Sequence, residues 1–277
     1  LGGMLSVALV LVKAAFHRGV ESPDQIEQIG LPVYAAVPKS DLQVELTNRF
    51  KLKKQKTKGT QALLAESNPA DLSIEALRGL RTSLHFAMLE AKNNILMISG
   101  PAPGIGKSFI STNFAAVAAK TGQKILLIDA DMRKGYLQTQ FGMNWDNGLS
   151  DYLSGRLSLT DVTKASQVTN LDVITRGQIP PNPSELLMHS NFSKLVDEVS
   201  SKYDLVIIDS PPILAVTDPA IVSAHAGSTL LVTRFGQNHV KELEITRNRF
   251  EQNGIDVKGV VFNGVVKTKR ILSCFKT

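Results

Sequence analysis

Cysteine is almost absent from this 277-residue chain, which has only Cys274, near its end. A single cysteine excludes an internal disulfide and any zinc site built from paired cysteines. The absence of disulfides agrees with a reducing compartment. Aromatic residues are also scarce, at 6%, but 43% apolar and 20% charged residues are typical of an ordinary globular protein. The length allows one large α/β domain or two small ones.

Acidic residues are few at the two ends of the chain. Residues 1–60 contain nine Lys and Arg against five Asp and Glu, and residues 267–277 contain four basic residues and no acidic one. The formal charge of +6 therefore belongs to the ends, and residues 61–266 carry −2. Nucleic-acid-binding proteins concentrate positive charge on a folded face, so we expect no nucleic-acid partner.

A long hydrophobic run is missing too. Residues 1–12, LGGMLSVALVLV, are uncharged, but a membrane-spanning helix needs about 20 apolar residues. The run also lacks the basic leader and cleavage site of a signal peptide. Because the chain does not start with methionine and a basic stretch follows, we expect residues 1–20 to be the cytoplasmic end of a transmembrane helix with its basic flank. The alternative is a buried or interfacial helix.

Residues 21–58 are typical of a juxtamembrane linker. They contain a short extended piece bounded by prolines at 31–38, followed by the lysine-rich run KLKKQKTK. Such a run is usually solvated, and beside a membrane it can also rest on anionic headgroups.

Six short aliphatic runs predict β-strands over 95–98, 125–128, 171–174, 205–208, 229–232 and 260–262. Helical patterns separate most of these runs, over 107–120, 184–200 and 240–253, and another covers 72–91. Continuous apolar strands that alternate with helices predict an α/β fold with a mostly parallel sheet and helices on both faces.

The segment SGPAPGIGKS at 99–108 follows the first predicted strand and opens a helix, as a phosphate-binding P-loop requires. Glycines in the loop let backbone N–H groups turn toward a phosphate, and the helix N-terminus favours an anion. Lys107 can reach the β- and γ-phosphates, and Ser108 can bind Mg²⁺. One departure is Pro101, where the motif usually has its first glycine. We predict ATP and Mg²⁺ as ligands, with the nucleotide held by Gly104, Ile105, Gly106, Lys107, Ser108 and Phe109.

Carboxylates follow two of the predicted strands. Asp129 and Asp131 come after the run at 125–128, and Asp209 comes after the run at 205–208. Ligands of open α/β sheets bind at the carboxyl ends of the strands. A single aspartate there is an ordinary turn residue, but three that converge on a lysine-containing phosphate loop indicate a magnesium site.

Several motifs resemble the bacterial tyrosine kinase family. ILLIDADMR at 125–133 is similar to the family's additional acidic motif, with Asp129, Asp131 and Arg133 in its D-x-D-x-R positions. LVIIDSPP at 205–212 is similar to its Walker B strand, and EALRGLR at 75–81 fits its E-x-x-R-x-x-R oligomerisation motif. Segments 175–187 and 211–222 are also similar, and the resemblance covers about residues 1–266. It implies the P-loop NTPase fold in its MinD/ParA-like variant, with a kinase domain over 59–266.

The resemblance implies roles for the site residues. Ser108, Asp131 and Asp209 would organise Mg²⁺, Lys107 would hold the transferring phosphate, and Asp129 would orient or deprotonate the attacking tyrosine. The spacing does not decide whether Asp129 or Asp131 is the base. Asn263 would contact adenine, or it is a turn residue before Gly264.

The resemblance also implies a homo-oligomer, with a ring expected, through the helix that carries Glu75, Arg78 and Arg81. The alternative is an ordinary solvated helix face. Tyr136 is similar to the family's internal phosphorylation site, and otherwise it is a packing residue. The family typically ends in a tyrosine-rich tail, whereas residues 267–277 read KTKRILSCFKT, so we expect a basic tail without the tyrosine cluster.

The function implied is that of an ATP-dependent tyrosine autokinase that regulates assembly and export of capsular or exopolysaccharide. It would lie in the bacterial inner membrane with its kinase domain in the cytoplasm. Its partners would be a cognate tyrosine phosphatase and the polysaccharide export and polymerisation machinery. One alternative is a MinD/ParA-like ATPase switch, but those proteins typically carry a second lysine early in the phosphate loop, and residues 101–105 have none. The other is a nucleotide-gated assembly module without kinase activity.

Overall fold

The computed structural model describes residues 19–53 and 63–266. The predicted membrane segment lies almost entirely outside these ranges, as do the basic tail and part of the lysine-rich run. Among the described residues, no helix combines the length and the apolar character needed to cross a membrane.

An eight-stranded sheet organises the fold, in the order β1-β8-β7-β2-β6-β3-β5-β4. All neighbouring strands are parallel except the β4–β5 pair. The strands are β1 (Val33–Pro38), β2 (Ile95–Ser99), β3 (Ile125–Asp129), β4 (Thr163–Ala165), β5 (Leu171–Ile174), β6 (Leu205–Asp209), β7 (Ser228–Arg234) and β8 (Val257–Val265). The prediction of a mostly parallel α/β sheet is confirmed.

Helices cover both faces of this sheet, as predicted. The described helices are α1 (Pro23–Glu27), α2 (Asp41–Lys53), α3 (Leu64–Ser67), α4 (Leu72–Met88), α5 (Lys107–Ala119), α6 (Gln138–Phe141), α7 (Leu149–Leu153), α8 (Leu159–Val162), α9 (Pro183–Met188), α10 (Ser190–Lys202), α11 (Asp218–Ser223) and α12 (Val240–Glu251). Helices α3 to α6 pack on one face, whereas α1 and α7 to α12 pack on the other.

The central strands are buried on both sides, which explains their continuous apolar runs. In β2, Ile95 and Met97 join the core on one face, whereas Leu96 and Ile98 join the core on the other. Because neither face meets water, the period-two alternation of a half-exposed strand is absent.

The prediction of a linker over 21–58 is wrong for the first half of that segment. Strand β1 pairs in parallel with β8, from Val33 opposite Val260 to Pro38 opposite Val265, and it forms one edge of the sheet. Ile26 of α1 and Val37 of β1 are fully buried. Prolines suggested a linker, but proline is compatible with an edge strand. The folded domain therefore begins well before the predicted boundary at residue 59.

Two smaller differences concern helix boundaries. The predicted helix over 184–200 is divided into α9 and α10 at His189, whose backbone is extended (φ −68°, ψ 146°). The helix predicted over 72–91 ends at Met88. Neither difference moves a predicted site residue.

Candidate active site

The loop between β2 and α5 has the backbone conformation of a phosphate cradle. Gly104 and Gly106 have positive φ values of 74° and 96°, which glycine adopts without strain. A Cβ atom on Gly106 would lie 2.1 Å from the side-chain nitrogen of Asn263. That nitrogen donates a hydrogen bond of 2.9 Å to the carbonyl of Ile105. Glycine is therefore required here for both conformation and space, and Asn263 fastens the loop to β8.

Lys107 and Asp209 form the charged centre of the site. Lys107 is only 8% exposed, and burial lowers the pKa of its ammonium group, although Asp209 and Asp131 oppose the shift. Burial raises the pKa of Asp209 to about 6, against the opposing effects of Lys107 and two serine hydroxyls. Ser108 Oγ donates to one oxygen of Asp209 at 2.7 Å, and Ser111 Oγ donates to the other at 2.9 Å.

Asp129 lies beside Asp209 across strands β3 and β6 and is fully buried. Its two oxygens accept backbone N–H groups from Leu137 at 3.1 Å and from Asp131 at 3.2 Å. Burial, and then the charge of Asp209, raises the pKa of Asp129 well above its usual value. A Cβ atom on Gly135 would lie 2.4 Å from an Asp129 oxygen, so the loop after β3 closes directly over this carboxyl group.

Tyr136 extends from the same loop into the cleft. Its side chain is 52% exposed, yet its hydroxyl end reaches the charged centre. Burial of that end and the charge of Asp209 raise the pKa of Tyr136, whereas the nearby hydroxyl of Ser108 lowers it. A tyrosine hydroxyl thus lies among the groups that the sequence assigned to Mg²⁺ and phosphate.

A single cleft of about 890 Å³ contains most of the predicted site. The predicted residues that line it are Gly104, Gly106, Lys107, Ser108, Phe109, Asp131, Tyr136, Asp209 and Asn263. Ile105 and Asp129 are fully buried behind this surface. Asn263 and Gly264 both lie within β8, so the turn interpretation of Asn263 is wrong, whereas its contact with adenine stays a prediction.

Ser111 was not predicted, although its position gives a usable signal. It lies three residues after Ser108 on α5, so both hydroxyls are on the helix face toward Asp209.

Two arginine contacts come from distant parts of the chain and could not be predicted. Arg133 donates two hydrogen bonds, of 2.9 and 3.1 Å, to the fully buried carboxylate of Asp218. Arg176 donates to the carbonyl of Gly135 at 2.9 Å. The loop after β3 is therefore attached to the rest of the domain at Arg133 and at Gly135.

Glu75, Arg78 and Arg81 lie on α4 and do not line the cleft. Glu75 and Arg78 form an ion pair, and Arg78 also donates to the carbonyl of Pro69 at 2.8 Å. Apolar side chains are exposed here as well, namely Leu72 and Phe86 on the helix and Leu89 directly after it.

The site fits a magnesium-bound nucleotide better than a dedicated metal cage. Within residues 19–53 and 63–266, no three His, Cys, Asp or Glu side chains are grouped to hold a metal. Magnesium usually keeps several waters and binds through one or two carboxylates and the substrate phosphates. The oxygens of Ser108, Asp209 and Asp131 are donors of this kind, and they lie beside a buried lysine and the N-terminus of α5.

Fold and site together define a P-loop nucleotide-binding protein. A family model described as an AAA domain matches residues 93–235. The septum site-determining protein MinD from Pyrococcus horikoshii OT3 superposes with a TM-score of 0.53 at 21% identity, over 64% of this chain and 72% of that chain, which shows the shared fold alone.

Two further similarities identify the family. The chain is 54% identical over 271 residues to the putative tyrosine-protein kinase AmsA of Erwinia amylovora. This match covers 96% of this chain and 37% of that protein. The kinase domain of the Escherichia coli tyrosine kinase ETK superposes with a TM-score of 0.82 at 48% identity, over 91% of this chain and 96% of that domain. The chain belongs to the bacterial tyrosine kinase family. It spans less than two-fifths of the length of the AmsA protein.

Proposed function

We propose that this chain is the catalytic part of an ATP-dependent protein-tyrosine autokinase. The observation that carries the proposal is the position of Tyr136, whose hydroxyl lies in one cleft with Lys107, Ser108 and Asp209. A P-loop ATPase needs Lys107, Ser108 and Asp209, but it has no need of a phenol beside them. The names of the relatives, all tyrosine-protein kinases, support the same activity.

In the proposed reaction, the tyrosine oxygen forms a bond to the γ-phosphorus of ATP and the bond from that phosphorus to ADP breaks. Lys107, which is largely buried, stabilises the negative charge of the transferring group. Ser108, Asp209 and Asp131 would hold Mg²⁺, which neutralises phosphate charge when bound.

The phenolic proton needs an acceptor. Asp129 is fully buried, and both of its oxygens already accept backbone N–H groups, so we assign it the role of positioning the loop. Asp131 lines the cleft, and we assign proton acceptance to the carboxylate oxygen of Asp131 that does not hold Mg²⁺.

Incubation of the purified chain with Mg-ATP, followed by mass spectrometry for phosphotyrosine and a parallel assay of ADP, tests the activity. We expect phosphotyrosine at Tyr136 together with ADP. ADP release without phosphotyrosine contradicts the proposal and is the behaviour of a MinD/ParA-like switch. Nucleotide binding with neither product is that of an assembly module without kinase activity.

We further propose that the whole protein is a homo-oligomer of the bacterial inner membrane with this domain in the cytoplasm. In that setting it would regulate assembly and export of capsular or exopolysaccharide, together with a cognate phosphatase and the export machinery. The exposed charged and apolar side chains of α4 support self-association. Restoring a deletion strain with wild-type or Lys107→Met protein and measuring its polysaccharide tests the role. Equal polysaccharide from both contradicts regulation by the kinase activity.

A further inference from the structure

One fully buried carboxylate, that of Asp218, lies outside the active-site cleft and takes no part in the proposed reaction. Asp218 is the first residue of α11, and none of its surface is exposed. It does not line the cleft. Aspartate is common in the first turn of a helix, where an exposed carboxylate is already favourable. Full burial of a charge is costly unless the charge is paired, so the partner of Asp218 decides what this residue does.

That partner is Arg133, whose guanidinium group reaches both oxygens of Asp218. Its Nε donates to one oxygen at 2.9 Å, and its Nη2 donates to the other at 3.1 Å. The hydroxyl of Ser184, on α9, donates to Asp218 at 2.5 Å and accepts a hydrogen bond from the same Nη2 at 3.1 Å. A two-pronged contact fixes the direction of both side chains, which a single hydrogen bond does not. Because Arg133 lines the cleft, the contact connects a buried anion to the cleft wall.

The backbone beside Arg133 orients the carboxylate of Asp131. The N–H groups of Arg133 and Lys134 donate to this carboxylate at 3.2 and 2.9 Å. The N–H of Gly135 donates to the carbonyl of Asp131 at 2.6 Å. These three bonds lie within one turn, so they fix the carboxylate relative to the turn. The side chain of Arg133 then fixes the turn relative to a residue 85 positions away in the sequence.

Asp218 also ends the segment that starts at the other proposed magnesium ligand, Asp209. Asp209 is the last residue of β6, and residues 210–217 lead from it to Asp218. Because β3 and β6 are neighbouring parallel strands, the loops that follow them leave the sheet at the same edge. The pair of Arg133 and Asp218 connects these two loops again beyond the sheet. The positions of Asp131 and Asp209 are therefore tied to each other at a second point.

We propose that Asp218 is a positioning residue of the active site. Through Arg133, it keeps the Asp131 carboxylate in place to hold Mg²⁺ together with Asp209. Groups that hydrogen-bond to the surroundings of a metal ligand are a general means of orienting that ligand. The inference rests on the proposed role of Asp131 as a magnesium ligand, and it adds a residue that touches neither metal nor nucleotide.

Asp218→Asn in the full chain tests the proposal. The substitution keeps the shape of the side chain, but it replaces one acceptor oxygen by a donor group, so the two-pronged contact with Arg133 is lost. The affinity for Mg-ADP, measured by calorimetry, should fall about tenfold. Affinity for ADP in EDTA should not change, because no metal is then bound. The thermal transition of each variant reports whether the fold remains.

The same substitution in the Asp131→Asn background separates positioning from a general structural role. If Asp218 acts through the Asp131 carboxylate, removing that charge removes the effect as well. Asp218→Asn should then cause no further loss of Mg-ADP affinity, because two changes on one path are not additive. An equal loss in both backgrounds overturns the proposal, since Asp218 then acts on another group.

Arg133→Lys is a second variant, and it keeps a cation beside the buried carboxylate. Lysine has no planar fork, so Mg-ADP binding should weaken by about threefold to tenfold. Arg156→Lys is the matched control. Arg156 donates to the carboxylate of Asp151, which is 8% exposed, at 2.7 Å, and neither residue lines the active-site cleft. This control should bind Mg-ADP as the wild type does.

Wild-type Mg-ADP affinity in a folded Asp218→Asn protein overturns the proposal, as does an equal loss in Arg156→Lys. If Asp218→Asn does not fold, Arg133→Lys with and without Asp131→Asn gives the same decision. Mg-ADP affinities that follow the expected pattern without any phosphotyrosine would support the positioning role and contradict the proposed kinase. Unchanged Mg-ADP affinity in Asp131→Asn alone removes the metal role of Asp131 and overturns this inference with it.

Discussion

The carboxylates of the cleft and the charged residues of α4 differ in what surrounds them. Asp209 is 2% exposed, receives hydrogen bonds from two serines and has a pKa raised to about 6. Glu75 and Arg78 pair on an exposed helix surface. An exposed ion pair contributes about 0–1 kcal/mol to folding, whereas a buried charge costs several kcal/mol unless it is compensated. Burial of charge at the cleft therefore points to chemistry, whereas the surface charges of α4 contribute little to folding.

The largest effect should come from the buried lysine. Lys107→Met keeps a similar apolar stem and removes the charge, so phosphotyrosine formation should fall about 100-fold or more. Quantitative mass spectrometry after incubation with Mg-ATP measures the loss, and an unchanged thermal transition shows that the fold remains. Wild-type levels of phosphotyrosine in this variant would refute the proposed role of Lys107.

The metal-binding carboxylate should have the next largest effect. Asp209→Asn keeps the shape of the side chain but removes its negative charge, so Mg-ADP affinity should fall about tenfold or more. Calorimetry in Mg²⁺ measures the change, with nucleotide in EDTA as the control. Equal affinities for the two proteins in Mg²⁺ would exclude Asp209 as a metal ligand.

The raised pKa of Asp209 also predicts a pH dependence. The folded protein without ligand favours the protonated carboxyl group, so its contribution to stability is present at low pH and is lost as pH rises from about 4 to about 6. Mg²⁺ requires the ionised form, so Mg-ADP affinity should increase as pH rises through about 6. The nucleotide also titrates near this pH. The decisive quantity is therefore the difference in Mg-ADP affinity between the wild type and Asp209→Asn. A constant difference from pH 5 to 8 would contradict this assignment.

The centre of the sheet and the phosphate loop were predictable because their signals are local. Continuous aliphatic runs indicate strands buried on both faces, and Gly104 and Gly106 precede the lysine of a loop between strand and helix. The three aspartates were also expected at the strand ends, because parallel strands bring their carboxyl ends to one edge.

The edge of the sheet and the supports of the site were not predictable, because they depend on distant partners. Residues 33–38 become a strand only because β8 offers them an open edge more than 200 residues later. Arg133 and Asp218 are 85 positions apart, and no local pattern shows that they meet.

Tyr136 has features of both the exposed surface and the buried charged centre, because its side chain is partly exposed and its hydroxyl end lies near Asp209. Tyr136→Phe removes the hydroxyl but keeps the ring, so it should remove most of the phosphate that the protein places on itself. Mg-ADP binding should change little, since the phosphate loop is intact. Peptide mapping of both proteins after reaction with ATP measures the change. Abundant phosphate on Tyr34, Tyr152 or Tyr203 in the variant would show that Tyr136 is not the main acceptor.

The smallest effect on the isolated fold is expected at α4. Arg78→Ala combined with Arg81→Ala removes two partly exposed side chains, one surface ion pair and one hydrogen bond to the Pro69 carbonyl, so stability should change by about 1 kcal/mol or less. If the helix is an interface, the same variant should have a lower mass by light scattering at concentrations where the wild type assembles.

A matched control for this loss of charge is Lys202→Ala on α10. It also removes an exposed cation that is paired with a glutamate on its own helix, Glu198. Lys202 lies outside the helix motif that resembles the family's assembly element. The mass of the Lys202→Ala variant by light scattering should therefore equal that of the wild type. A wild-type mass for the arginine variant, or an equal decrease in both variants, would assign the arginines of α4 to an ordinary solvated surface. A decrease in the arginine variant alone would show that these weakly stabilising charges act between subunits.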